Sequence, residues 1–101
     1  MPYYEKALAS RPQDAHLHFN AALAMAELGK HGEAIDLYER CIQLEPNDAD
    51  AHNNLGLLYV KEQKFEQAVD HFRAAIAIKP DSNEIKSNLA HALQQLRRHG
   101  S

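Results

Sequence analysis

The residues of this 101-residue chain whose types could do chemistry are seven histidines, one cysteine and fourteen carboxylates. His16 and His18 are two apart, so on a helix they splay to different sides. They lack the i, i+4 spacing that presents two imidazoles to one zinc ion. His18 and His52 stand 34 residues apart and could stack side by side in a repeating chain. That gives two nitrogens where a closed zinc site needs four ligands. The pattern predicts partly buried imidazoles filling large-residue slots, with no metal and no cofactor. Cys41 cannot make an intrachain disulfide or a thiolate zinc site by itself, and it reads as a buried space-filler. Asp48 and Asp50 flank a helix start, where capping and the helix dipole explain them. No Ser–His–acid constellation, phosphate loop or Gly-rich fingerprint is present, so no enzyme is expected.

The asparagines are different. Asn20, Asn54 and Asn88 share a spacing of 34, and each falls in a segment with helical periodicity, where Asn is a mediocre helix former. A side-chain amide carries two donors and an acceptor, so it can bond both sides of a peptide unit. With rungs about 10 Å apart and about 3.3 Å per extended residue, each Asn would meet roughly every third peptide unit. A purely structural role for the column is the competing reading.

The elements that must position these side chains follow from the same period. Pro12, Pro46 and Pro80 are also 34 apart. In that register Ala7, Cys41 and Ala75 align, as do Leu8, Ile42 and Ile76, and Tyr4, Tyr38 and Phe72. So do Ala22, Gly56 and Ala90, then Ala34 and Ala68, then Met25, Tyr59 and Leu93. Within a period the apolar spacing is helical: Ala21, Ala22, Met25 and Leu28 form one stripe, and Ala34, Ile35, Tyr38, Cys41 and Ile42 another. Gly29 suits a left-handed helix cap between them. Each proline precedes polar residues suited to starting a helix, and Asp81 with Glu84 has capping-box spacing. These signals predict about six helices, near 2–10, 14–28, 32–44, 48–61, 65–78 and 82–98, and no strands. Small residues at Ala22, Gly56, Ala90, Ala34 and Ala68 face large aromatics, which lets antiparallel helices approach to roughly 8–10 Å. Each helix pair leaves an apolar face for the next, so the pairs stack.

A 34-residue helix–turn–helix with small, aromatic and proline columns resembles the tetratricopeptide repeat. The motifs are N-L-G-x-x-Y at 54–59, F-x-x-A-V at 65–69, F-x-x-A-I at 72–76 and Pro80, with Ala22, Gly29, Ala34, Tyr38 and Pro46 in the preceding repeat. The resemblance implies an all-α, right-handed helix-turn-helix solenoid forming a single domain. Residues 1–14 read as the second helix of an incomplete repeat. Residues 15–48 and 49–82 read as full repeats, 83–98 as a capping helix and 99–101 as a tail. Departures from the family pattern are His18 and His52 in a slot for large side chains, and Gln63 where Gly is usual.

In this family the asparagine register faces the concave groove. The resemblance therefore implies a groove lined by Asn20, Asn54 and Asn88 with Phe19, Leu23, Asn53, Leu57, Val60, Lys61 and His91. It would act as a non-enzymatic scaffold binding an extended peptide. The column resembles the asparagine ladder in the repeat domain of O-linked N-acetylglucosamine transferase. The carboxylate clamp of chaperone-binding members needs basic residues on the groove face. Here its lysine register holds Phe19 and Asn53, and its second asparagine register holds Leu23, Leu57 and His91, so a chaperone C-terminus does not fit.

A net charge of −3 is too mild to steer the chain onto nucleic acid or an anionic surface. No apolar run approaches about 18 residues and no signal-peptide core is evident, so membrane insertion is not expected and a cytoplasmic location is the default. The alternative function is self-assembly through solenoid ends. The chain begins mid-repeat, and Tyr3, Tyr4 and Ala7 would form an apolar end that a second copy could cover to give a homo-oligomer.

Overall fold

The computed structural model describes residues 14–99. The described residues form five helices and no strand: α1 Ala15–Glu27, α2 His31–Leu44, α3 Ala49–Lys61, α4 Phe65–Ile78 and α5 Asn83–His99. Each lies within about two residues of its expected span. The expected helix 2–10, with Tyr3, Tyr4 and Ala7, lies outside the described residues. The chain divides into two compact units, residues 1–47 and 48–101.

The helix starts repeat with the sequence. Asp14 Oδ1 accepts from the Leu17 amide at 3.3 Å, and Asp48 Oδ1 accepts from the Ala51 amide at 3.0 Å. Ser82 Oγ accepts from the Ile85 amide at 3.3 Å. Each satisfies one of the amides that a helix N-terminus leaves without an internal partner. The third cap is therefore Ser82 and not the Asp81 suggested by capping-box spacing, because the period places Ser82 in register with Asp14 and Asp48.

The turns inside each helix pair repeat as well. Gly29 has φ +78°; its amide donates to the Ala26 carbonyl at 3.0 Å and the Lys30 amide to the Met25 carbonyl at 2.9 Å. This is a Schellman closure, whose left-handed residue favours glycine. Gln63 occupies the same place in the second pair with φ 59°. Gln63 donates to Val60 at 3.0 Å and Lys64 to Tyr59 at 2.8 Å. The departure from Gly at this position thus leaves the turn geometry intact.

In the first unit α1 packs on α2. Ala21, Ala22 and Met25 of α1 and Ala34, Tyr38 and Cys41 of α2 are buried, so Cys41 lies in the core as its column predicts. Phe19 meets Tyr38 edge-on at 5.5 Å between ring centroids, a favoured aromatic geometry. In the second unit α4 packs against both α3 and α5. Ala68, Val69, Phe72 and Ala92 form its main cluster, with Leu57, Tyr59, Val60, Leu89, Leu93 and Leu96 packed around it. A smaller cluster joins Ala49, Ala75 and Ile85. Gly56 marks the closest approach: a Cβ there would lie 2.6 Å from Cε1 of Phe72. One member of the small-residue column departs from expectation. Ala90 is exposed and Ala92 is the buried alanine of α5, because among the described residues no helix follows α5 to press on that side.

Candidate functional site

The groove residues expected in the second unit lie on α3 and α5. Asn54, Leu57 and Lys61 follow one another at i, i+3 and i+7, so they share a face of α3. Asn88 and His91 are likewise three apart on α5. Asn54 and Asn88 are half-buried, while Lys61 and His91 are exposed. Leu57 and Val60 are half-buried against the Phe72 cluster. They offer the edge of an apolar floor beside polar and cationic groups.

A side-chain hydrogen bond joins the two helices here. Asn88 Nδ2 donates to Asn53 Oδ1 at 2.9 Å, and Asn53 is only 5% exposed. Asn53, expected as a groove contact, is buried and brackets α3 to α5 by accepting this bond. A buried amide needs partners, because leaving one unsatisfied costs roughly 1–3 kcal/mol. The remaining N–H and the carbonyl oxygen of Asn88 retain the donor–acceptor pair of an amide. Nearby, Lys79 Nζ reaches Asp50 Oδ1 at 3.4 Å with both side chains largely exposed, an ion pair that contributes little in water.

The corresponding residues of the first unit are on α1. Asn20 and Leu23 are exposed and Phe19 is half-buried against Tyr38. A shallow cleft of about 300 Å³ lies between the α3–α4 turn and the end of α5, lined by Lys64, Phe65, Leu96 and His99 among others. None of the expected groove residues lines it.

The expected histidine slots are occupied as the sequence suggested, with His18 and His52 each 8% exposed. His52 also contacts His71 of α4, with Nδ1 atoms 3.2 Å apart. Self-association through Tyr3, Tyr4 and Ala7 concerns residues outside those described.

Paired antiparallel helices with repeated caps and left-handed turns define a helical-repeat protein. Two family models match the chain, one described as TPR repeat over residues 23–63 and one as Tetratricopeptide repeat over 49–82. The chain belongs to the tetratricopeptide repeat family, and its fold is one suited to protein–protein interaction. Solved structures agree on the fold. A crystal structure of MamA protein superposes with TM-score 0.89 at 24% identity, covering 91% of this chain and 50% of that one. YrrB, described as a TPR protein with an unusual peptide-binding site, gives TM-score 0.83 at 22% identity, covering 93% and 48%. The first TPR of Spaghetti (RPAP3) bound to an HSP90 peptide gives 0.89 at 23% identity, covering 93% and 75%. This chain therefore spans about half the length of the MamA and YrrB chains. No curated protein sequence matches it significantly.

Proposed function

We propose that this chain is a non-enzymatic scaffold that binds an extended peptide segment through its asparagine register. In the second unit the contacts are Asn54, Leu57, Val60 and Lys61 of α3 with Asn88 and His91 of α5. Asn20, Phe19 and Leu23 supply the same register in the first unit. The observation that carries this reading is the Asn53–Asn88 bracket at 2.9 Å, which restrains one amide of the register before a ligand arrives. A pre-oriented amide loses less conformational freedom on binding. Main-chain bonds to amides would give affinity, and the half-buried Leu57 and Val60 would give selectivity for apolar side chains. Peptide binding by YrrB and by the first TPR of Spaghetti supports the reading as a property of the same fold. The clamp register holds Phe19 and Asn53 where basic residues are needed, so a peptide held by main chain and apolar side chains fits better than one held by its terminal carboxylate.

The test is a displayed library of linear peptides panned on the protein, followed by calorimetry on the best binder. Asn20→Ala with Asn54→Ala should weaken that binder by about tenfold or more, the value of two lost hydrogen bonds. Equal affinity, with helix content unchanged, overturns the reading. Asn88→Ala is measured separately: it strips the Asn88 donor from buried Asn53 and should also lower stability by about 1–3 kcal/mol.

A further inference from the structure

Within the second unit, α3 and α5 carry charge in the same order along their groove stripes. On α3 the stripe runs Asp50, Asn54, Leu57, Lys61, and on α5 it runs Glu84, Asn88, His91, Arg98. Successive members are three, four or seven residues apart, so each stripe keeps to one side of its helix. Asp50 and Glu84 fall in first turns, Lys61 and Arg98 in last turns. α4 packs against both helices and joins each through a short turn, so α3 and α5 run in the same direction. The bond from Asn88 to Asn53 ties them at one level. Both acidic ends therefore lie on one edge of the groove and both basic ends on the other, about 16–21 Å away along the helices.

The two edges differ in how far their charge is already compensated. On the acidic edge Lys79 Nζ reaches Asp50 Oδ1 at 3.4 Å. On the basic edge Lys61 and Arg98 are exposed and hold no ion pair among the described residues. The helix dipole accounts for cations at helix C-termini, but their outward N–H groups stay open to a ligand. An extended peptide crossing α3 and α5 turns alternate side chains toward opposite edges. Those on the basic edge pass Leu57 and meet two uncompensated cations, one of them a guanidinium fork that matches a carboxylate.

We infer that this groove selects peptides with acidic side chains on the edge of Lys61 and Arg98; the inference rests on the scaffold reading above and gives it a ligand class. With helices about 10 Å apart and about 3.3 Å per extended residue, carboxylates two or four residues apart share that edge and reach both cations. These carboxylates are side chains within the peptide, so a free C-terminus is not required. The chain's net charge of −3 repels acidic peptides at long range. A preference for them therefore arises locally, at this edge.

The test pans a library of C-terminally amidated linear peptides on the full chain at low salt and measures the best binders by calorimetry. Binders should be enriched in Asp and Glu spaced two or four apart, and should weaken as salt is raised. Lys61→Gln with Arg98→Gln should weaken the best binder by about fivefold. That loss should shrink when the binder's Asp and Glu are replaced by Asn and Gln. Lys86→Gln, on another exposed face of α5, should leave the affinity unchanged. Binders without acidic enrichment, or weakened equally by Lys86→Gln, overturn this inference. The scaffold reading survives that result if Asn20→Ala with Asn54→Ala still weakens them, whereas a library that yields no binder removes both.

Discussion

A Cβ at position 56 would lie 2.6 to 2.9 Å from three ring atoms of Phe72, closer than carbon atoms approach in native packing. Phe72 is fully buried in a cluster bounded by α5, so its ring has little room to withdraw. Two effects oppose each other in Gly56→Ala. Alanine gains up to about 1 kcal/mol of helix propensity, and overpacking costs about 1–3 kcal/mol. The rigid aromatic makes the second effect larger, so the variant should be less stable than the parent by about 1 kcal/mol or more in urea unfolding. A gain in stability would mean that the Phe72 ring moves aside. The same scale governs Asn53, whose neighbour Asn54 stays half-buried while its own amide is committed inward.

The two left-handed turns make a matched experiment at the scale of the element. Gly29 and Gln63 hold φ of 78° and 59° and close with the same pair of backbone hydrogen bonds. A side chain in the left-handed region costs roughly 1–2 kcal/mol, whereas glycine adds conformational freedom to the unfolded chain and costs about 0.4–1 kcal/mol there. Gly29→Ala takes on strain with a small entropic return, so a loss of about 1 kcal/mol is expected. Gln63→Gly makes the reverse exchange and should be neutral to mildly stabilising. Chemical denaturation of the two variants checks both signs. A neutral Gly29→Ala would show that the α1–α2 turn does not need its left-handed residue.

Taken as a whole, the molecule consists of two units of unequal means. Residues 48–101 contain α3, α4 and α5 with a core of their own around Ala68, Val69, Phe72 and Ala92. Residues 14–47 contain one helix pair. Repeat architectures derive stability from each unit and from the faces that neighbours cover, and chains below about 40 residues seldom bury enough surface to fold unaided. A fragment 48–101 should therefore melt cooperatively by circular dichroism at a lower temperature than the full chain. A fragment 14–47 should remain largely unfolded. A folded 14–47 fragment would contradict this distribution of stability.

Helix number, order and turn chemistry among the described residues were legible in the sequence, because they rest on local causes. The 34-residue period, the capping side chains at 14 and 48 and the left-handed position at Gly29 each act within a few residues of where they occur. The small-facing-large contact of Gly56 was legible too, since the period places it against an aromatic column. The outcomes decided by tertiary structure involve partners distant in sequence. Asn53 turned inward to meet Asn88 from 35 residues away, and His52 met His71 on the neighbouring helix. Ala90 became exposed although its column is otherwise buried. A one-dimensional period gives like residues like positions, whereas the rotation of each helix about its axis and the presence of a covering neighbour determine which polar atoms meet.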